Sequence, residues 1–138
     1  MSSSLNADTP LPLRSDDDVV RLRTVVRQRC IDLGLSLVEQ TKVVTAASEL
    51  ARNTLCHGGG GEALVHLLER ADAHGVCMIF SDRGPGIADV ALALTDGYTS
   101  GGGLGLGLGG ARRLVDDFDL QTEVGVGTTV TITKWKRI

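Results

Sequence analysis

The chain has 138 residues, 14 Lys and Arg against 17 Asp and Glu, and a formal charge of −3. That length suits one domain burying about two-thirds of its unfolded surface, and the lack of a basic run argues against a nucleic-acid partner. Cys30, Cys56 and Cys77 stand singly in apolar surroundings without CxxC spacing, which fits reduced core residues of a cytoplasmic protein. No stretch approaches the roughly eighteen apolar residues of a membrane span, and the N-terminus reads as no leader, so no membrane partner is expected.

Taken in chain order, MSSSLNADTP is polar and aperiodic, so residues 1–9 are expected to be a flexible N-terminus ahead of a single domain over 10–138. PLPLRS reads as a short edge strand, the setting that tolerates Pro10 and Pro12. Ser15 before Asp16, Asp17 and Asp18 is an N-cap with an acidic first turn, and Val19, Leu22, Val26, Cys30 and Leu33 then recur at helical spacing as far as Gly34. Ser36-Leu37-Val38-Glu39 matches a capping box, and helical periodicity continues from it to His57.

GGGGE breaks the chain. EALVHLLERADA and GVCMIFSD read as two strands of a hairpin, the second almost continuously apolar and so central. After DRGPGI the spacing predicts a weak helix over ADVALALTD, then the glycine tract, a helix over ARRLVDDF, and strands over DLQTEV and TTVTITKWK, the last β-branched at nearly every early position. Helices early and strands late give an α+β class: a two-layer sandwich with about three helices on one face of a mixed, mostly antiparallel sheet.

Three stretches carry candidate chemistry. In SELARNTLCHG, Glu49, Asn53 and His57 fall at i, i+4 and i+8, one side of a helix. The stripe is either a solvated face or a site in which Asn53 offers a neutral oxygen to Mg²⁺ and Glu49 acts as a base; His57 reads as a helix-end residue. In DRGPGI, Asp82 stands at a strand end beside Gly84 and Gly86, either a plain turn or an acceptor for an exocyclic amine with room for a flat base. In SGGGLGLGLGGARR, seven of the ten residues Gly101–Gly110 are glycine. Leucines at 104, 106 and 108 disfavour a flexible linker. No GK[ST] follows, and the formal G-x-G-x-x-G lacks a preceding strand, which leaves a glycine loop opening a helix whose amides can meet an anion.

In this order ELARN, DRGPGI, GGGLGLGLGGARRL and GVGTTV resemble the Asn box and glycine boxes of the GHKL, or Bergerat-fold, ATP-binding superfamily over about residues 40–133. Within it, DGYTSGGGLGLGLGGARRLVDDFDLQTEVGVGTTV is similar to the RsbT-type serine/threonine switch kinases. The resemblance implies the Bergerat fold, ATP and Mg²⁺ as cofactors, and phosphorylation of STAS-domain antagonist proteins in partner-switching stress regulation, with a phosphatase regulator as a further partner. It implies Glu49 as general base, Asn53 as the Mg²⁺ ligand, Asp82 as receiver of the adenine amine, and Gly84, Gly86 and Ile87 beside the base. Gly103, Leu104, Gly105, Leu106 and Gly107 would supply phosphate-binding backbone, and Thr128 would close the adenine pocket. A phosphate contact from Arg52 has no further support. The rival expectations are an RsbW-type anti-sigma factor, a nucleotide-dependent module activating a phosphatase, and a histidine-kinase catalytic fragment, the last disfavoured by the short stretch before the first helix.

Overall fold

The computed structural model describes residues 9–95 and 107–138. Residues 1–8, on which most of the expected flexible N-terminus falls, and the first part of the glycine tract lie outside the described residues. The elements are β1 (Leu11–Leu13), α1 (Asp16–Leu33), α2 (Leu37–Cys56), β2 (Gly61–Arg70), β3 (Ala73–Asp82), α3 (Val90–Ala93), α4 (Gly107–Arg113), β4 (Asp117–Glu123) and β5 (Gly127–Arg137).

Local chemistry sets both long helices. The Ser15 side chain accepts the Asp18 amide at the start of α1, and Gly34, at φ 82°, ends it in the left-handed conformation that glycine adopts without penalty. Ser36 Oγ likewise accepts the Glu39 N–H at 3.1 Å. Glu39 departs from the expected capping box, because its carboxylate engages Lys134 Nζ on β5 at 2.6 Å. The Lys134 hydrogen bond holds the Glu39 carboxyl below its ordinary range. Burial alone would lower the Lys134 pKa, but hydrogen bonds to Glu39 and Asp116 outweigh it and raise the ammonium above its ordinary range.

The strands form one sheet in the order β1-β2-β3-β5-β4, and each ladder is antiparallel. The two-layer α+β architecture stands, without the parallel pairing that a mixed sheet would contain among the described strands. β1 lies at the edge, where Pro10 and Pro12 place no demand on a central ladder. Val19, Leu22, Val26 and Cys30 of α1 and Val43, Ala46, Ala47 and Leu50 of α2 bury their side chains with Ala63, Val65, Val76, Met78, Phe80, Val130 and Ile132 of the sheet. Fully burying one such aliphatic side chain contributes about 1.5–3 kcal/mol, so this shared apolar layer holds the helices on the sheet.

Three boundaries differ from those read in the sequence. The β2–β3 turn is Ala71-Asp72, because Gly75 belongs inside β3, where an added Cβ would lie 2.8 Å from Trp135 Cε3. The Arg70 guanidinium covers that ring, 4.0 Å from its centroid. The helix expected over ARRLVDDF covers Gly107–Arg113 instead, inside the glycine tract. Asp116 is drawn to the sheet, accepting the Trp135 N–H at 2.7 Å and Lys134 Nζ at 3.3 Å, so Asp117 already starts β4. Of the cysteines, Cys30 and Cys77 are buried and Cys56, in the last turn of α2, is exposed. Burial pushes the Cys30 thiol up to about 11. No described helix is long and apolar enough to cross a membrane.

Candidate nucleotide-binding site

The C-terminal half of α2, the loop after β3, α3, the start of α4 and the ends of β3 and β5 enclose a cleft of about 320 Å³. Leu50, Phe80, Ile87, Leu92, Leu108 and Val130 make its apolar walls, while Asn53, Asp82 and Thr128 bring polar atoms to it. An apolar slot with a few converging polar groups is the usual form of a small-molecule site.

The helix wall follows from the spacing on α2. Leu50 is buried and contributes apolar wall, Asn53 is half-buried beside the cleft, and Arg52 is exposed. Thr54 also lines the cleft, but its hydroxyl donates to the Leu50 carbonyl at 3.0 Å. His57 is the C-cap of α2, as its place before GGGG suggests, and its N–H donates to the Asn53 carbonyl. It lines the cleft as well.

The sheet supplies the opposite end. Asp82, the last residue of β3, pairs with Gly61 on one side and Thr128 on the other. Asp82 Oδ1 accepts the Gly84 N–H at 2.9 Å, which bends the chain straight after the strand. A Cβ on Gly84 would lie 2.7 Å from Gly58 Cα, and one on Gly58 would lie 2.5 Å from Asp82 Oδ2. Gly58 and Gly84 therefore meet backbone to backbone, and Gly84 itself is not among the lining residues. Gly86 lines the cleft at φ 77°, with the Glu123 carbonyl where its Cβ would be.

The β4–β5 hairpin clamps this loop. The Gly125 N–H donates to the Pro85 carbonyl at 2.8 Å, and the Ile87 N–H to Thr122 Oγ1 at 2.9 Å. Thr122 Oγ1 is also 2.9 Å from Thr128 Oγ1 and donates to the Gly127 carbonyl at 3.2 Å.

The fold thus gathers Asn53, Asp82, Gly86, Ile87, Gly107 and Thr128 around one cleft. Glu49 stands one turn before Asn53, outside the lining residues, and its Oε2 accepts the Gly107 N–H at 3.2 Å. Gly103, Leu104, Gly105 and Leu106 lie outside the described residues. Gly58, Thr122 and the walls Phe80 and Val130 were not singled out from sequence. GGGG was a usable signal for Gly58; nothing local distinguishes Thr122. Among the described residues, no group of three or more His, Cys, Asp or Glu side chains is arranged to hold a metal ion. Asn53 fits Mg²⁺ only as one neutral oxygen completed by phosphates and water, the sparse protein ligation that Mg²⁺ accepts.

Comparison with known proteins agrees with this geometry. Residues 38–138 match the family described as histidine kinase-, DNA gyrase B-, and HSP90-like ATPase. The chain is 35% identical to the serine/threonine-protein kinase RsbT of Bacillus subtilis, over 96% of this chain and 100% of that protein. It is 28% identical to the anti-sigma F factor of the same species, over 81% of this chain and 80% of that one. Among solved structures, the RsbU and RsbW domains of Rv1364c from Mycobacterium tuberculosis align with a TM-score of 0.57 at 21% identity, covering 94% of this chain and 32% of that one. The mycobacterial sensor histidine kinase MprB aligns with a TM-score of 0.55 at 15% identity, covering 95% and 99%. At those identities the structures speak for the fold alone, while the match over residues 38–138 and the full-length similarity to RsbT carry the assignment: the chain belongs to the histidine kinase-, DNA gyrase B- and HSP90-like ATPase family, among its RsbT-type serine/threonine protein kinases.

Proposed function

We propose that this chain, one ATP-binding domain over residues 10–138, works in the cytoplasm as a protein kinase that moves the γ-phosphoryl of Mg-ATP to a serine or threonine of a STAS-domain antagonist in a partner-switching pathway. The observation that carries the reading is the pairing of Asp82 with Thr128 at the end of a cleft whose helix wall holds Asn53. Asp82 receives the adenine amine, Thr128 closes the base end, and Gly84, Gly86 and Ile87 shape the loop beside it. Asn53 Oδ1 holds Mg²⁺, and backbone from Gly103 to Gly107 meets the phosphates. Mg²⁺ held there would, together with the loop amides, supply neutralisation of the phosphate charge during transfer. Glu49 accepts the hydroxyl proton; Oε2 takes the Gly107 N–H, which leaves Oε1 for the proton.

Incubating the purified chain with γ-labelled Mg-ATP and a purified STAS-domain antagonist tests this directly. Phosphoserine or phosphothreonine on the antagonist is the expected product. A chain that binds ATP and a sigma factor but leaves the antagonist unlabelled would instead be an anti-sigma factor, the alternative favoured by the likeness to the anti-sigma F factor. Direct activation of a phosphatase regulator is a further role, read by adding the purified regulator and following its phosphatase activity.

A further inference from the structure

The hydrogen inventory around Thr122 determines what Thr128 can offer a ligand. A hydroxyl has one hydrogen and two lone pairs. Thr122 Oγ1 accepts the Ile87 N–H at 2.9 Å, donates to the Gly127 carbonyl at 3.2 Å, and lies 2.9 Å from Thr128 Oγ1. A carbonyl only accepts and an amide N–H only donates, so the first two bonds use the Thr122 hydrogen and one lone pair. With the Thr122 hydrogen assigned to the Gly127 carbonyl, the third bond is donated by Thr128, whose single hydrogen then goes to Thr122, a residue outside the cleft lining.

We propose that Thr122 is a positioning residue for nucleotide specificity: by taking the Thr128 hydrogen and the Ile87 amide, it leaves Thr128 to face the cleft as an acceptor. Thr128 sits across the β3–β5 ladder from the Asp82 carboxylate, itself an acceptor. Two acceptors at one end of an apolar slot favour a base that presents an amino group and disfavour one that presents a carbonyl there. Thr122 is absent from the cleft lining, so it acts through Thr128 and through the loop that carries Ile87. This assignment rests on the nucleotide reading of the cleft.

The test measures Kd for Mg-ATP and for the 6-oxo analogue Mg-ITP in the parent, Thr122→Val and Thr122→Ser by calorimetry, with a thermal melt of each. In Thr122→Val the Thr128 hydrogen is released and can turn toward a carbonyl, so the preference for ATP over ITP should fall by about tenfold. Thr122→Ser keeps the hydroxyl and should keep the parental preference. Thr122→Ala takes the place of the valine variant if that protein does not fold. A uniform loss for both nucleotides would mark Thr122 as merely structural and overturn the assignment, as would an unchanged ratio in the valine variant. A parent that binds neither nucleotide refutes the nucleotide reading itself, an outcome separate from a parent that discriminates and a variant that still does.

Discussion

Gly58 offers a test of the cleft from behind its walls. Its place after α2 reads as a chain break, yet a Cβ there would lie 2.5 Å from Asp82 Oδ2 and nearer still to Asp82 Cγ and Cβ. Asp82 cannot swing aside freely, because Oδ1 accepts the Gly84 N–H at 2.9 Å and Gly84 is packed on the backbone of Gly58. Gly58→Ala must therefore displace the carboxylate by about 1 Å, with an overpacking penalty of about 1–3 kcal/mol in stability. Losing a charge-assisted hydrogen bond of about 1.5–3 kcal/mol would weaken ATP binding by roughly 10- to 150-fold. The adjacent Gly59 is the control: at φ 76° a side chain there meets nothing within 4 Å, so Gly59→Ala should cost about 1–2 kcal/mol of backbone strain and leave affinity alone. Calorimetric titration with Mg-ATP and thermal melts of both variants separate the two effects. A folded Gly58→Ala protein with parental ATP affinity would refute the role given to Asp82, and so would equal affinity losses in the two variants.

Asp82→Asn should lower ATP affinity by about 1–3 kcal/mol and narrow the preference over GTP, both read in the same titrations; unchanged values would remove the amine contact. Asn53→Ala should abolish the Mg²⁺-dependent part of nucleotide affinity, whereas Glu49→Gln should retain binding and slow single-turnover phosphorylation by roughly 10²- to 10⁴-fold. Parental transfer by Glu49→Gln would show that the carboxylate acts only as the Gly107 anchor. The Glu39–Lys134 contact predicts a pH profile. The Glu39 pKa is lowered from 4.5, so its contribution is present above that value and lost as pH falls through the depressed pKa; the Lys134 pKa is raised from 10.5, so its contribution is lost as pH rises through the elevated one. Lys134→Met should destabilise the fold by about 1–2 kcal/mol, between the worth of surface and buried pairs, and flatten the acid limb in urea melts at stepped pH; an unchanged limb would detach it from this pair.

Local signals were legible where a residue's partners are near it in sequence. Ser15, Ser36 and Gly34 cap the helices as read because capping is settled within four residues. Pro10 and Pro12 set β1 at an edge through their own geometry. Gly75 misled the turn assignment because its reason is Trp135, 60 residues further along the chain. Glu39 departed from the box because Lys134 lies across the fold. The end of α4 moved for the same kind of reason, since Asp116 is claimed by Trp135 and Lys134.

The sequence by itself determined the α+β class, the two capped helices, the central apolar strand, and the ordered motifs holding Asn53, Asp82 and Thr128, because periodicity, capping and motif order are properties of neighbouring residues. Tertiary structure alone decided that Asp82 faces Thr128, that Glu49 meets Gly107 and that Gly58 backs the carboxylate. It also decided that Thr122 Oγ1 lies within hydrogen-bond distance of both Thr128 Oγ1 and the Gly127 carbonyl. Those contacts join segments 24 to 58 residues apart or depend on how few hydrogens one hydroxyl carries, and no local pattern encodes either until the sheet register and the loop packing bring the atoms within bonding distance.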